Sequence, residues 1–154
     1  VIAMKDAIKN SIRTTKFATA AENAGNWYVV DLKDKILGRA ASEIAKRIRG
    51  KYNPKFTPNS DSGDWVIVIN ADKVKINVKR EELKNYKRHS LYPGGQTITS
   101  YKEMMAKHPE RIIEYAVKRM LPKTRLGNRL IHKLKVYTGE EHPHGAQNPV
   151  ELSL

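Results

Sequence analysis

Apolar and polar positions follow two periods along this chain, and the periods divide it into strands and helices. Trp27-Tyr-Val-Val-Asp-Leu32 is rich in β-branched and aromatic residues and predicts a first strand. Ala40, Ala41, Ile44, Ala45 and Ile48 recur at helical spacing, so residues 39–49 predict an amphipathic helix that Gly50 stops. Tyr52 to Gly63 holds Pro54, Pro58, Asn59 and Ser60 and predicts a loop. Trp65-Val-Ile-Val-Ile-Asn70 is a continuous apolar run, the pattern of a central strand buried on both faces. Val74 to Val78 alternates and predicts a short strand, Lys79 to Lys84 a helical turn, and Tyr86 to Tyr92 a strand that Pro93-Gly94-Gly95 terminates. Ser100 with Glu103 matches a capping box and opens a short helix. Pro109 suits the first position of the next helix, whose stripe is Ile112, Ile113, Ala116, Val117 and Met120 and which Pro122 ends. Leu126, Leu130, Ile131 and Leu134 predict one more helix, and Val136 with Tyr137 a last strand. The tail from Glu140 carries Pro143 and Pro149 and little periodicity.

Strands alternating with helices predict an α/β fold, a mainly parallel sheet with helices on its faces. The length of 154 residues suits one domain, spanning 27–154 with an extended C-terminal tail. Residues 1–26 read as an N-terminal extension, irregular or RNA-bound, with little to build a core and no apolar stretch of a secretory signal. Its scattered Lys5, Lys9, Arg13 and Lys16 faintly resemble an organelle transit peptide.

Charge changes the picture most. Twenty-nine Lys and Arg stand against 16 Asp and Glu, a formal net charge of +13. Such an excess speaks of partners rather than fold, and polyphosphate is the strongest candidate because neutralising it releases condensed counterions. With no Cys, disulfides, thiolate metal sites and cysteine nucleophiles are excluded. No apolar run approaches the ~20 residues of a membrane helix.

The cations are arranged unevenly. Arg39 and Lys46 point within roughly 20° of each other on the polar face of the first helix, about 10 Å apart along its axis. The ordinary explanation there is a solvated face, with Glu43 between them. From Val117 to Gly139 stand Lys118, Arg119, Lys123, Arg125, Arg129, Lys133 and Lys135 with no acid at all. A solvated face mixes signs because like charges repel, so this stretch points to an anionic partner. The run from Tyr86 to Gly95 interleaves Lys87, Arg88, His89 and Tyr92 with Gly94 and Gly95, a mixture able to stack on unpaired bases and to bring backbone N–H groups close to phosphate. A buried tyrosine with a satisfied hydroxyl is the plainer account of any one of its aromatics.

Catalytic and metal chemistry find little support. His142-Pro-His144 lacks a third ligand, His89-Ser90 are neighbours that do not face each other, and there is no phosphate-binding loop and no Gly-x-Gly-x-x-Gly. An α/β fold alone licenses no activity.

Several ordered motifs together resemble one family. Trp27-Tyr-Val-Val-Asp31, Leu37-Gly-Arg39-Ala-Ala-Ser42, Arg49-Gly-Lys51 and Gly63-Asp-Trp-Val-Ile-Val-Ile-Asn-Ala71 come first. His89-Ser-Leu-Tyr-Pro-Gly-Gly95, Met120-Leu-Pro-Lys123, Leu126-Gly127, Leu134-Lys-Val-Tyr-Thr-Gly139 and His142-Pro-His-Gly-Ala-Gln147 follow. In this order and spacing they resemble the ribosomal protein L13 family, over about Trp27 to Leu152. The resemblance implies a three-layer α/β/α fold around a small, mostly parallel sheet. It also implies binding to large-subunit ribosomal RNA, entry early in assembly, and other large-subunit ribosomal proteins as neighbours. It implies no catalysis, no cofactor, no metal, no membrane and no small-molecule substrate. The layout suggests a cytoplasmic bacterial ribosome, with an organellar one as the alternative. Two departures stand out: Ile76-Asn-Val-Lys79 replaces the family's usual Thr-Gly turn, and the extension before Trp27 is longer than usual.

The candidate RNA contacts are accordingly Lys35, Arg39, Lys46, Arg49 and Lys51 around the first helix, and Lys87, Arg88, His89, Tyr92, Gly94 and Gly95 in the aromatic run. Lys118, Lys123, Arg125, Arg129, Lys133 and Lys135 follow in the acid-free stretch, with His142 and His144 in the tail. The competing hypotheses are an α/β enzyme for an anionic phosphorylated substrate and a membrane-surface protein. The first would gather its cations at one pocket beside an acid, a base or a Gly-rich loop, whereas here they spread from Lys35 to Lys135. The second needs large apolar anchors where the first helix offers mainly Ala and Ile.

Overall fold

The computed structural model describes residues 25–77 and 81–153. The extension as far as residue 24, Val78, and the start of the helical turn expected over 79–84 lie outside the described residues.

Four strands form a parallel sheet: β1 (Trp27–Asp31), β2 (Trp65–Ile69), β5 (Leu134–Val136) and β6 (Val150–Glu151), in the order β5-β2-β1-β6. β1 and β2 pair from Trp27↔Trp65 to Asp31↔Ile69, while β6 flanks β1 and β5 flanks β2. β2 is central, and Val66, Ile67 and Val68 are all fully buried, which explains its unbroken apolar run. A second, two-stranded sheet is an antiparallel hairpin of β3 (Asn85–His89) and β4 (Gln96–Ser100).

Helix α1 (Leu37–Arg49) crosses from β1 to β2 and buries Ala40, Ala41, Ile44, Ala45 and Ile48. Lys46, Arg47 and Arg49 occupy its last turn, where cations complement the helix dipole. Gly50 caps it at φ 81, and a Cβ there would lie 2.5 Å from the Ser62 carbonyl oxygen, so conformation and space both require glycine. Helices α2 (Tyr101–Lys107) and α3 (Pro109–Met120) follow the hairpin. Ser100 caps α2 by accepting from the Glu103 N–H at 3.3 Å, and Pro109 starts α3. The Glu103 carboxylate pairs with Lys107 at 2.8 Å.

α1 and α3 pack on one face of the sheet. Val30, Leu32, Val66 and Val68 point into this layer with Ile44 and Ile48 of α1 and Ile112, Ile113 and Val117 of α3. Met120, expected in the stripe, is exposed because α3 ends there. On the other face Trp27 stacks on Trp65, centroids 4.7 Å apart, beside buried Val29 and Ile67. The tail covers part of that face, placing His144 5.2 Å from Trp27.

Three sequence expectations are corrected. Val74 to Val78 is no strand among its described residues; it makes one isolated bridge, Ile36↔Lys75, supported by Leu37 N–H to the Lys75 carbonyl at 2.9 Å. The last predicted helix stops at Leu130 as α4 (Arg125–Leu130), passes through a 3-10 turn (Ile131–Lys133), and Leu134 opens β5, because its side chain is worth more to the core in register with Val66. Val136 with Tyr137 is not the last strand, since β5 ends at Val136 and the tail adds a 3-10 turn (Gly145–Gln147) and then β6, which completes the sheet edge.

Candidate nucleic-acid interface

The cations fall into groups that differ in what already holds them. On α1, Lys46 reaches Glu43 at 2.6 Å, and the Tyr52 hydroxyl donates to the second oxygen of the same carboxylate at 2.6 Å. The Lys46 contact, and then Tyr52, holds the Glu43 carboxyl below its usual range, while Glu43 raises Lys46. Arg47, absent from the predicted set, lies over two rings, 4.9 Å from Tyr28 and 4.2 Å from Tyr52. Arg49 lies 5.8 Å from the Phe56 ring. Arg39, Lys35 and Lys51 are exposed at the two ends of the helix.

The connection from α3 to α4 is different. Lys118, Lys123, Arg125 and Arg129 are exposed, and none has a carboxylate within ion-pair distance among the described residues. Half-buried Lys135 of β5 is likewise without one. The backbone that carries the connection is tightly placed. Thr124 caps α4 by accepting from the Gly127 N–H at 3.2 Å. A Cβ on Gly127 would stand 1.8 Å from the Pro122 carbonyl oxygen, so only glycine lets the helix close onto that turn. Lys123 and Arg125 therefore project from a fixed frame rather than a slack loop.

Lys133 leaves this group. It is 9% exposed, and its ammonium donates to Asp61 Oδ1 at 2.6 Å and to the Gly63 carbonyl at 2.7 Å. It pins the loop before β2 to the turn before β5, so its charge and two of its three donors are engaged within the protein.

The hairpin presents its turn outward. His89 Nδ1 accepts from the Leu91 N–H at 2.9 Å, and Ser90 and Gly95 close the turn through a 3.0 Å backbone bond. Leu91 sits at φ 73 with its side chain 91% exposed, and Tyr92 is exposed beside it. Positive φ is unusual for so bulky a residue, and such outliers concentrate where a protein meets a ligand. Gly94 and Gly95 complete the turn.

The hairpin and α3 enclose a groove of about 510 Å³. Cross-strand pairs Tyr86↔Thr99 and Arg88↔Thr97 form one wall, and Arg111, Tyr115 and Arg119, spaced by four along α3, form the other. Lys87, Ser90, Gly95 and Met104 complete its lining, which includes no acidic side chain. Tyr86 lies beneath, its ring 5.9 Å from Tyr115, and burial pushes its hydroxyl up to about 12. Arg111 and Tyr115 are absent from the predicted set, as is Arg119 although it stands in the acid-free stretch; their four-residue spacing marks a second face of α3 that flanks its apolar stripe.

His142 and His144 serve the reverse face of the sheet. Their rings stack 6.3 Å apart, and His144 Nε2 shares a 2.9 Å hydrogen bond with the Tyr137 hydroxyl. No group of three potential metal ligands occurs among the described residues.

Cations held on a rigid α/β frame, spread over several elements and partly left without internal partners, define a basic scaffold for a polyanion. The ribosomal protein L13 model matches residues 25–143, and the chain belongs to this family, whose members are structural proteins and not enzymes. A protein of Chromohalobacter salexigens named large ribosomal subunit protein uL13 is 54% identical over 84% of this chain and 91% of its own length. Its namesake in Pelodictyon phaeoclathratiforme is 54% identical over 91% of this chain and 94% of its own length. A third, from Chloroflexus aggregans, is 55% identical over 80% of this chain and 87% of its own length.

Proposed function

We propose that this chain is a structural constituent of the large ribosomal subunit that binds large-subunit ribosomal RNA and enters early in assembly. Its neighbours are that RNA and adjacent large-subunit proteins, its setting a cytoplasmic ribosome of bacterial type. Residues 27–154 act as one domain, with 1–26 an extension. The observation that carries the proposal is the set of exposed cations on the α3–α4 connection, Lys118, Lys123, Arg125 and Arg129, without carboxylate partners among the described residues. In the free protein their repulsion is unrelieved, and RNA phosphates relieve it. Lys35, Arg39, Lys51, Lys87, Arg88 and Lys135 extend these contacts, with Lys46 and Arg49 as cations already anchored by Glu43 and Phe56. His89, Tyr92, Gly94 and Gly95 bring the hairpin turn to the RNA, and His142 and His144 border the contact from the tail. Lys133 is withdrawn from the set because it is sealed inside.

Titration of large-subunit RNA at increasing salt tests this. Log K should fall by about 0.7–0.9 per phosphate neutralised. Salt-independent affinity would exclude phosphate-dominated binding.

A further inference from the structure

We propose that the groove between the β3–β4 hairpin and α3 is a receptor for a single unpaired nucleotide of a longer RNA, its base stacked on Tyr115 and the phosphates on either side of it met by Arg111 and Arg119. The proposal deepens the RNA-binding reading and rests on it, but it concerns a different kind of contact from the phosphate-facing connection.

Three observations carry it. The first is shape. A cleft of about 510 Å³ falls in the range of roughly 300–1,000 Å³ typical of small-ligand sites, whereas a duplex backbone is met by an open surface. The second is charge. Arg88 reaches the groove from the hairpin, Arg111 and Arg119 from α3, and none of the three has a carboxylate partner among the described residues. Arginine forks clasp phosphate through paired N–H donors, and Arg111 and Arg119, about 12 Å apart along α3 with Tyr115 between them, are spaced for the phosphates on the two sides of one nucleotide. The third is the aromatic between them. Tyr115 lies one helical turn from each α3 arginine and is 38% exposed, so one part of its ring packs on Tyr86 while another faces outward. Stacking on such a ring suits any base and requires that base to be out of a helix. Thr97 and Thr99 add hydroxyls on the opposite wall that can donate or accept. A free anionic metabolite would share the phosphate chemistry, but the groove offers no acidic or basic catalytic pair, and its mouth adjoins the exposed hairpin turn at Leu91 and Tyr92. An unpaired nucleotide within a longer RNA is therefore the occupant the surroundings favour.

The test uses the full chain and two probes of equal length, a single-stranded oligoribonucleotide carrying one fluorescent adenine analogue and the same strand fully paired. The intact protein should quench the unpaired probe on binding and leave the already low signal of the paired one unchanged. Arg111→Gln with Arg119→Gln should weaken the unpaired probe about tenfold while changing duplex binding by less than about twofold. Tyr115→Ala should abolish the quenching, and Tyr115→Phe should restore it, because the ring and not the hydroxyl stacks. Inorganic phosphate and adenosine monophosphate compete in a separate arm. Displacement of the oligonucleotide by adenosine monophosphate at concentrations where phosphate does nothing supports a base-reading site. Equal losses for paired and unpaired probes in the arginine variant, or unaltered quenching in Tyr115→Ala with a native melting curve, would overturn the proposal while leaving general RNA binding standing. Failure of the unaltered protein to bind large-subunit RNA at all would instead strike the function proposed above.

Discussion

The polar face of α1 and the connection between α3 and α4 are both rich in lysine and arginine, yet the fold uses them differently. On α1 the charges are largely absorbed: Lys46 is tied to Glu43, Arg47 lies over Tyr28 and Tyr52, and Arg49 lies over Phe56. On the connection Lys118, Lys123, Arg125 and Arg129 have no such carboxylate contacts among the described residues. The number of basic residues therefore says less about a binding surface than what each cation already touches. Lys133 makes the point at short range, since it lies a few positions beyond Arg129 and is engaged inside the protein.

The comparison can be broken in four places. The largest effect belongs to the core beneath the connection. Leu130 is 1% exposed, so Leu130→Ala should lower stability by about 2–5 kcal/mol in a thermal or denaturant melt. RNA affinity per folded molecule should hardly change. Next comes the inward lysine. Lys133→Met deprives the buried Gly63 carbonyl of its donor and should cost roughly 1–3 kcal/mol, while the salt slope of RNA binding stays where it was. A shallower slope with native stability would return Lys133 to the RNA surface.

Charge reversal on the connection should behave in the opposite sense. Lys123→Glu with Arg125→Glu should reduce RNA affinity about tenfold or more and lower the salt slope by roughly 0.7–0.9 for each phosphate that is no longer neutralised. The free protein should melt at the same temperature or slightly higher, because repulsion among the cations is relieved. A variant that unfolds, or that binds RNA as the parent does, would erase the distinction between the two regions. The smallest effect concerns a buried group that neither region uses. The Tyr86 hydroxyl has no hydrogen-bond partner among the described residues, so Tyr86→Phe should be near neutral at pH 7. Its folded value of about 12 stands above the ordinary 10.0, so the unfolded chain loses the proton first as pH rises. Stability should fall between about pH 10 and 12, and the phenylalanine variant should show a shallower fall in an alkaline melt series, with Tyr101 acting in the same direction.

What is legible in the sequence follows from burial. α1, α3, β1 and β2 bury a stripe or both faces, so their periods are written in side chains. β4 escapes a reading by pattern because Gln96–Ser100 is largely exposed and is held by backbone pairing with β3, which leaves no apolar period. β6 escapes it because two residues carry no period at all. Leu126, Leu130 and Leu134 keep helical spacing while the chain changes from helix to strand, so here the spacing misleads. Among the cations, the acid-free stretch leads to Lys123, Arg125 and Arg129, which the fold leaves exposed and without carboxylate partners among the described residues. It fails at Lys133, whose partner Asp61 lies 72 positions earlier and leaves no local trace.

The strand order β5-β2-β1-β6 bears on how the chain matures as it is synthesised. The two inner strands come before the outer two in the chain, and they can pair as soon as the crossover through α1 has been made. The outer strands arrive later, one on each side, so the sheet widens from its middle and no inner place must be held open for a late arrival. Both edges of the nascent pair stay unprotected until residues beyond 130 are made. That interval, rather than the finished protein, is when this chain is most exposed to mispairing with another copy of itself.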